Sequence, residues 1–116
     1  MSENRVIKIT DLSPTLPALH YALQSRRILG DAVERSFKVS HVTMDTNGRS
    51  DSHAHSGVDQ FYLVLKGEMG VQIEGEEFRL KPGEATLVKP GEKHHNFNVC
   101  SGETEYLVIT GKLAAG

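Results

Sequence analysis

The second half of the chain consists of short apolar segments separated by turn residues. These segments are Phe61–Leu65, Val71–Ile73, Phe78–Leu80, Ala85–Val88 and Tyr106–Ile109. Glycines and prolines interrupt them at short intervals. Strands that recur every ~8–12 residues with turn signals between them are typical of an all-β sandwich or barrel. Helical periodicity does not hold across these segments, so the pattern predicts an all-β domain.

One β-hairpin is predicted within this region. Val71 and Ile73 alternate with Gln72 and Glu74, which places the two pairs on opposite faces of a strand. The chain then turns at Gly75 into a second short apolar segment. Alternation on both sides of a glycine-containing turn is typical of two antiparallel strands.

The first half of the chain is less regular. The segment Arg5–Thr10 is compatible with an edge strand, and Ser13–Pro17 is a turn-rich break. Residues 18–29 fit a helix in part, yet Phe37–Met44 has the composition of a strand. We therefore favour strand for most of residues 18–29.

Length and composition restrict the class of protein. A chain of 116 residues is expected to form one domain, here 1–116, with residues 1–30 as edge strands or an arm. The net charge of −2 and the absence of a basic run argue against a nucleic-acid partner. No apolar stretch approaches the ~20 residues of a membrane span, and no secretory signal is evident. The single Cys100 cannot form an internal disulfide, which fits a cytoplasmic protein.

The six histidines provide the first indication of chemistry. His53 and His55 stand at positions i and i+2, so on a strand both imidazoles would point to one face and reach one ion. Gln60 begins the next predicted strand and shares a face with Tyr62. A second cluster further along the chain supplies His94 as a third imidazole.

The spacing of these residues resembles the two motifs of the cupin superfamily. The first motif, G-x5-H-x-H-x3,4-E-x6-G, corresponds to residues from about 48 to 67, with Gln60 at the glutamate position. The second, G-x5-P-x-G-x2-H-x3-N, matches residues 83–98 in every spacing, with Lys89 at the proline position. Motif counting selects His94 rather than His95, and strand alternation puts these two histidines on opposite faces.

The resemblance implies a double-stranded β-helix, the cupin or RmlC-like jelly-roll barrel, with one divalent transition metal inside one mouth. The implied ligands are His53, His55, Gln60 and His94; alternatively, Gln60 hydrogen-bonds a metal-bound water and the site is three-histidine. Zn, Ni, Fe, Mn, Co and Cu all suit imidazole-rich N/O ligands. A neutral glutamine leaves the full 2+ charge on the ion, where a glutamate would leave about 1+, which favours Lewis-acid chemistry.

Fold does not define function, so three classes remain open. The favoured one is a metalloenzyme acting on a small, oxygen-rich, chelating substrate, by dioxygenase-type or Lewis-acid cyclase, isomerase or lyase chemistry. Its catalytic residues would be the four ligands acting through the metal, with Tyr62 or His41 as a base. Core packing is the equal alternative for Tyr62, and a core or surface histidine is the simpler interpretation of His41. The main rival class is a non-catalytic small-molecule-binding module with a structural or recognition metal. The third is a structural or storage protein, against which the single copy of the motifs and the lack of an evident secretory signal count.

Two surface features bear on partners. The segment Phe61–Leu65 is apolar on both faces, so the outer face needs a cover, either the N-terminal strand or a second subunit. Small cupins usually dimerise this way, and we expect a homodimer. The pair Arg26–Arg27 could recognise an anionic substrate, although two solvated arginines are the favoured interpretation.

Overall fold

The computed structural model describes residues 6–29 and 37–112, which form one short 3-10 helix and eight β-strands. The helix covers Ile9–Asp11. The strands are β1 (His20–Leu29), β2 (Phe37–Ser50), β3 (Asp59–Lys66), β4 (Met69–Ile73), β5 (Glu76–Leu80), β6 (Ala85–Val88), β7 (His94–Asn98) and β8 (Thr104–Gly111).

The strands form one antiparallel sheet that curls into a nearly closed barrel. Seven strands follow the order β5-β4-β7-β2-β8-β3-β6, and β1 pairs with β2. The predicted all-β class is therefore confirmed. No helix in 6–29 or 37–112 has the length and apolar character needed to cross a membrane.

The local predictions have different outcomes in the two halves of the chain. The hairpin is confirmed as β4 and β5, with Ile73 paired to Glu76. Residues 18–29 do contain a strand, β1. The edge strand predicted at Arg5–Thr10 is wrong within the described residues, because the backbone at Ile9–Asp11 forms local 3-10 turns instead of a strand pairing. Arg5 itself lies outside the described residues.

Three rows of paired residues across β2, β8 and β3 lie at successive levels of the barrel interior, from the mouth to the core. The rows are Lys38–Thr110–Gln60, then Ser40–Val108–Tyr62, then Val42–Tyr106–Val64. In the third row all three side chains are buried and belong to the apolar core. The first row ends in the exposed Lys38, so side chains change from apolar to polar and charged as the rows approach the barrel mouth.

A tight turn between β6 and β7 determines the direction in which the chain enters β7, the strand that carries His94. Residues 89–92 read Lys-Pro-Gly-Glu, the Glu92 N–H donates to the Lys89 carbonyl (3.1 Å), and Gly91 has φ +81°. Proline at the second position and a left-handed glycine at the third are the requirements of a type II turn. The proline displaced by one residue from the motif position therefore still forms the turn.

Candidate metal centre

The two histidine segments are joined by backbone hydrogen bonds. His53 and His94 exchange N–H···O bonds of 2.9 and 2.8 Å, and the Gly91 N–H donates to the His55 carbonyl at 2.7 Å. The expected strand through His53 and His55 is reduced to this isolated bridge, and the rest of the 51–58 segment is irregular. The segment is held at two points, by the bridge at His53 and by the hydrogen bond from Gly91, in the turn at residues 89–92, to the His55 carbonyl.

Three imidazoles converge at this junction. The candidate ligand atoms of His53, His55 and His94 lie within 4.8 Å of one another. His94 is 1% exposed, and its ring centroid is 4.5 Å from that of His53 and 5.3 Å from that of His55. Three neutral imidazoles at this separation match the ligand sets of zinc and other first-row divalent ions.

Backbone carbonyls orient two of the rings. The Nδ1 of His53 lies 2.6 Å from the Asp51 carbonyl, and the Nδ1 of His94 lies 3.0 Å from the Glu92 carbonyl. A carbonyl only accepts, so each Nδ1 carries the proton and each Nε2 presents a lone pair. A histidine that ligates a metal through one nitrogen commonly donates its other N–H in this way.

Gln60 presents its oxygen to the same place. Its Nε2 donates to Thr110 Oγ1 at 3.3 Å, and its Oε1 accepts from the Tyr62 hydroxyl at 2.9 Å. The same Oε1 lies 3.1 Å from His94 Nε2. With the His94 proton on Nδ1, the lone pairs of His94 Nε2 and Gln60 Oε1 face each other and repel. A cation bound by both atoms would remove this repulsion.

His55 is the most perturbed of the three histidines. Its Nε2 is buried without a hydrogen-bond partner among the described residues. Burial, followed by the charges of His53, His94 and Lys38, lowers the pKa of His55 to about 4. Burial also lowers the pKa of His94. An unpartnered, neutral nitrogen beside two other lone pairs and an amide oxygen fits a divalent ion, so the residues present are suited to the metal that the motif implies.

The cluster opens into a cavity of about 400 Å³. Its deeper wall is largely apolar, formed by Leu23, Val42 and Tyr106, with the hydroxyl of Ser25 beside Val42. Val108 and Ser40 lie in the next row, Thr110 lies nearer the mouth, and Arg27 and Lys38 add charge. A largely apolar pocket with a few convergent polar groups is the usual form of a small-molecule site.

The structure brings some of the other candidate residues to this cavity and not others. Tyr62 lines it, and burial raises the pKa of its hydroxyl. His41 lies on the opposite face of β2, where its Nε2 meets Glu105 Oε1 at 3.1 Å, and it is not among the cavity-lining residues. His95 also faces away from the cluster and stacks near Phe97.

Sequence reasoning gave no role to His20, which the structure places beside the cluster. Its ring centroid lies 5.6 Å from that of His53, and it lines the cavity. Its Nδ1 approaches the Ala18 carbonyl at 2.7 Å, which leaves Nε2 as an acceptor. The pairing of His20 with Ser50 brings it there, and no local pattern in the sequence signals that contact.

Comparison with known proteins agrees with this geometry. A family model described as "Cupin domain" matches residues 40–110. No curated protein matches the chain.

Three solved structures illustrate the likeness of fold. A protein described as a predicted oxalate decarboxylase from Thermotoga maritima is 18% identical, with a TM-score of 0.83 over 93% of this chain and 99% of that one. The polyketide cyclase RemF from Streptomyces resistomycificus is 18% identical, with a TM-score of 0.79 over 98% and 88% of the two chains. A cupin-superfamily sugar phosphate isomerase from Silicibacter pomeroyi is 20% identical, with a TM-score of 0.78 over 92% and 75%. Because the family model spans more than half of the residues, the chain belongs to the cupin family.

Proposed function

We propose that this cupin is a divalent-metal-dependent enzyme that acts on a small oxygen-rich substrate by redox-neutral, Lewis-acid chemistry, as a cyclase, isomerase or lyase. The observation that carries the proposal is the convergence of His53, His55, His94 and the Gln60 oxygen at the edge of a 400 Å³ cavity. Solved structures of similar fold include a polyketide cyclase and a sugar phosphate isomerase, which supports this class of activity.

The charge of the donor set favours redox-neutral chemistry. All four proposed ligands are neutral, since the three histidines bind as imidazoles and Gln60 offers an amide oxygen. A divalent ion at this position would polarise the substrate oxygens that chelate it. A donor set without a carboxylate stabilises a trivalent oxidised metal less than one with glutamate, which disfavours dioxygenase chemistry.

The surrounding residues have distinct proposed roles. Tyr62 holds the Gln60 oxygen in place through its hydroxyl proton, and its raised pKa keeps that proton on the ring oxygen. The apolar deep wall around Leu23 and Val42 excludes water from the body of the substrate. His20 Nε2, an acceptor at the cavity wall, is the group placed to receive a substrate proton.

Metal analysis of untagged protein purified without chelator tests this proposal. We expect one equivalent per chain in the wild type and none in the double variant His53→Ala/His94→Ala. His95→Ala is the matched control, since it removes the neighbouring histidine from the other face of β7 and should keep the metal. Failure of the wild type to bind metal even after reconstitution would leave a binding module without a metal. Substrate-dependent oxygen uptake by the loaded protein would replace the redox-neutral assignment with a dioxygenase.

The expected homodimer stays part of the proposal. The outer face of β3 and its neighbours presents Phe61, Leu63, Leu107 and Ile109, all half-buried, with Leu65 46% exposed. Within residues 6–29 and 37–112, the N-terminal strand β1 pairs with β2 and not with β3, which supports a second subunit as the cover of this face. Sedimentation at twice 12.8 kDa is expected, and a monomer mass would contradict it.

A cytoplasmic location is likewise retained as a prediction. The thiol of Cys100 is unpaired and half-buried, which is compatible with a reducing compartment. Fractionation of the native host would test it, and recovery of the protein outside the cytoplasm would contradict it.

A further inference from the structure

The charged side chains of the cavity all have one sign. Among the described residues that line it, the charged groups are Arg27 and Lys38, and none of these lining residues is Asp or Glu. The candidate ligands add no negative charge, because Gln60 stands where a glutamate is usual. The described lining residues therefore carry a net positive formal charge, to which a bound divalent cation would add.

Strand register places both cations on the same wall of the cavity as Gln60. Lys38 pairs with Thr110, and Thr110 pairs with Gln60, so the three residues form one row across β2, β8 and β3. At about 4.8 Å between neighbouring strands, the Cα atoms of Lys38 and Gln60 lie about 10 Å apart. Arg27 pairs with Ser40 in the next row, on the strand that borders Lys38.

Two further observations place these cations beside the cluster and limit the size of the ligand. Arg27 and Lys38 line the same cavity as His53 and His55. The cavity volume of about 400 Å³ lies at the lower end of ligand pockets, so the ligand is a small molecule. The hydroxyl groups of Ser25, Ser40 and Thr110 line the same cavity.

We propose that the ligand of this cavity is a small oxyanion, a carboxylate or phosphate, whose charged group binds Arg27 and Lys38 while its other oxygens face His53, His55, His94 and Gln60. The inference rests on the proposed metal site and adds the substrate class to it. A guanidinium supplies a planar fork of donors and an ammonium a point charge, and together they suit either anion.

Isothermal titration of three probes into nickel-loaded and metal-free protein tests the inference. The probes are malate, its uncharged dimethyl ester, and inorganic phosphate; the ester keeps the hydroxyl and carbonyl oxygens but lacks the charge. The variants are Arg27→Gln, Lys38→Gln and their combination. The matched control is Arg79→Gln/Lys81→Gln, which removes the same charges from exposed positions that do not line the cavity.

We expect an anion to bind the wild type, with each cavity variant weakening it about tenfold or more and the combined variant more than either. The control should bind as the wild type does, and the ester at least about tenfold more weakly than malate. Whichever of malate and phosphate binds with the higher affinity shows whether the charged group of the ligand is a carboxylate or a phosphate. Raised ionic strength should weaken binding to the wild type more than to the combined variant.

Failure of this inference is distinguishable from failure of the proposed function. If every variant loads nickel but anion affinity is unchanged by Arg27→Gln/Lys38→Gln, the oxyanion assignment is wrong and the metal site stands. The oxyanion assignment is also wrong if the ester binds as tightly as malate, or if neither anion binds the wild type at millimolar concentration. If the wild type loads no metal but its anion affinity still depends on both cations, the metal proposal is wrong and the oxyanion assignment stands.

Discussion

Replacement of Tyr62 by phenylalanine isolates the role of one hydroxyl group. Tyr62 is 4% exposed and donates a 2.9 Å hydrogen bond to Gln60 Oε1. Its ring packs edge-on against Tyr106 at 5.8 Å, a contact that phenylalanine preserves. The substitution therefore removes one buried hydrogen bond with little change in packing.

The expected magnitudes follow from what remains around Gln60. Loss of a neutral hydrogen bond costs about 0.5–1.5 kcal/mol of unfolding free energy. Gln60 then loses the 2.9 Å bond that Tyr62 donates and keeps the longer 3.3 Å bond to Thr110 to orient its amide. Loss of a group that orients a metal ligand typically lowers metal affinity by about 10–100-fold. If Tyr62 acts through Gln60, the same substitution in a Gln60→Ala background should change affinity by less than about twofold.

A chelator-competition titration of the four proteins in this cycle, from wild type to double variant, measures the coupling. Thermal melts of the metal-free proteins measure separately how much each substitution lowers the stability of the fold. Equal affinity in wild type and Tyr62→Phe would refute the positioning role. An equal loss in both backgrounds would also refute it, because it would mean that Tyr62 acts on the metal independently of Gln60.

Three further predictions concern stability. Asn96→Ala removes a buried amide, 1% exposed, that bonds two hydroxyl groups, and denaturant unfolding should show a loss of about 2–4 kcal/mol; a loss near zero would contradict the network. Gly67→Ala places a Cβ 2.3 Å from Thr104 Oγ1 at φ +84°, so its melting temperature should fall well below that of Gly75→Ala, which shares the left-handed backbone but has open space. In metal-free protein, the lowered pKa of His55, about 4, means that the unfolded chain binds a proton between about pH 6.5 and 4 that the folded chain does not. The free energy of unfolding should therefore decrease as the pH is lowered through that window, and it should decrease less steeply in His55→Asn. An identical slope in His55→Asn would contradict that assignment.

Features that depend on neighbouring residues were accessible from the sequence. The hairpin of β4 and β5 follows from alternation on both sides of a two-residue turn, and both are local properties. The opposite orientation of His94 and His95 follows from the period of a strand. The motif spacing located the three histidines, because a turn of defined length and a strand of defined period separate them.

Features that depend on pairing between distant segments were not accessible. The Arg5–Thr10 edge strand was wrong, and His20 had no assigned role, because strand periodicity does not specify which segment pairs with which. The sequence does not show that the register of β2 turns His41 toward Glu105 on the outer face.

The wall of the cavity shows the same division. Lys38, Ser40 and Val42 alternate in the sequence, and their common face is predictable from strand period alone. Their position opposite Thr110, Val108 and Tyr106, and through those residues beside Gln60 and Tyr62, depends on hydrogen bonds between strands more than forty residues apart. Local side-chain patterns determine which way a residue points, whereas the curvature and register of the closed sheet determine which residues it faces.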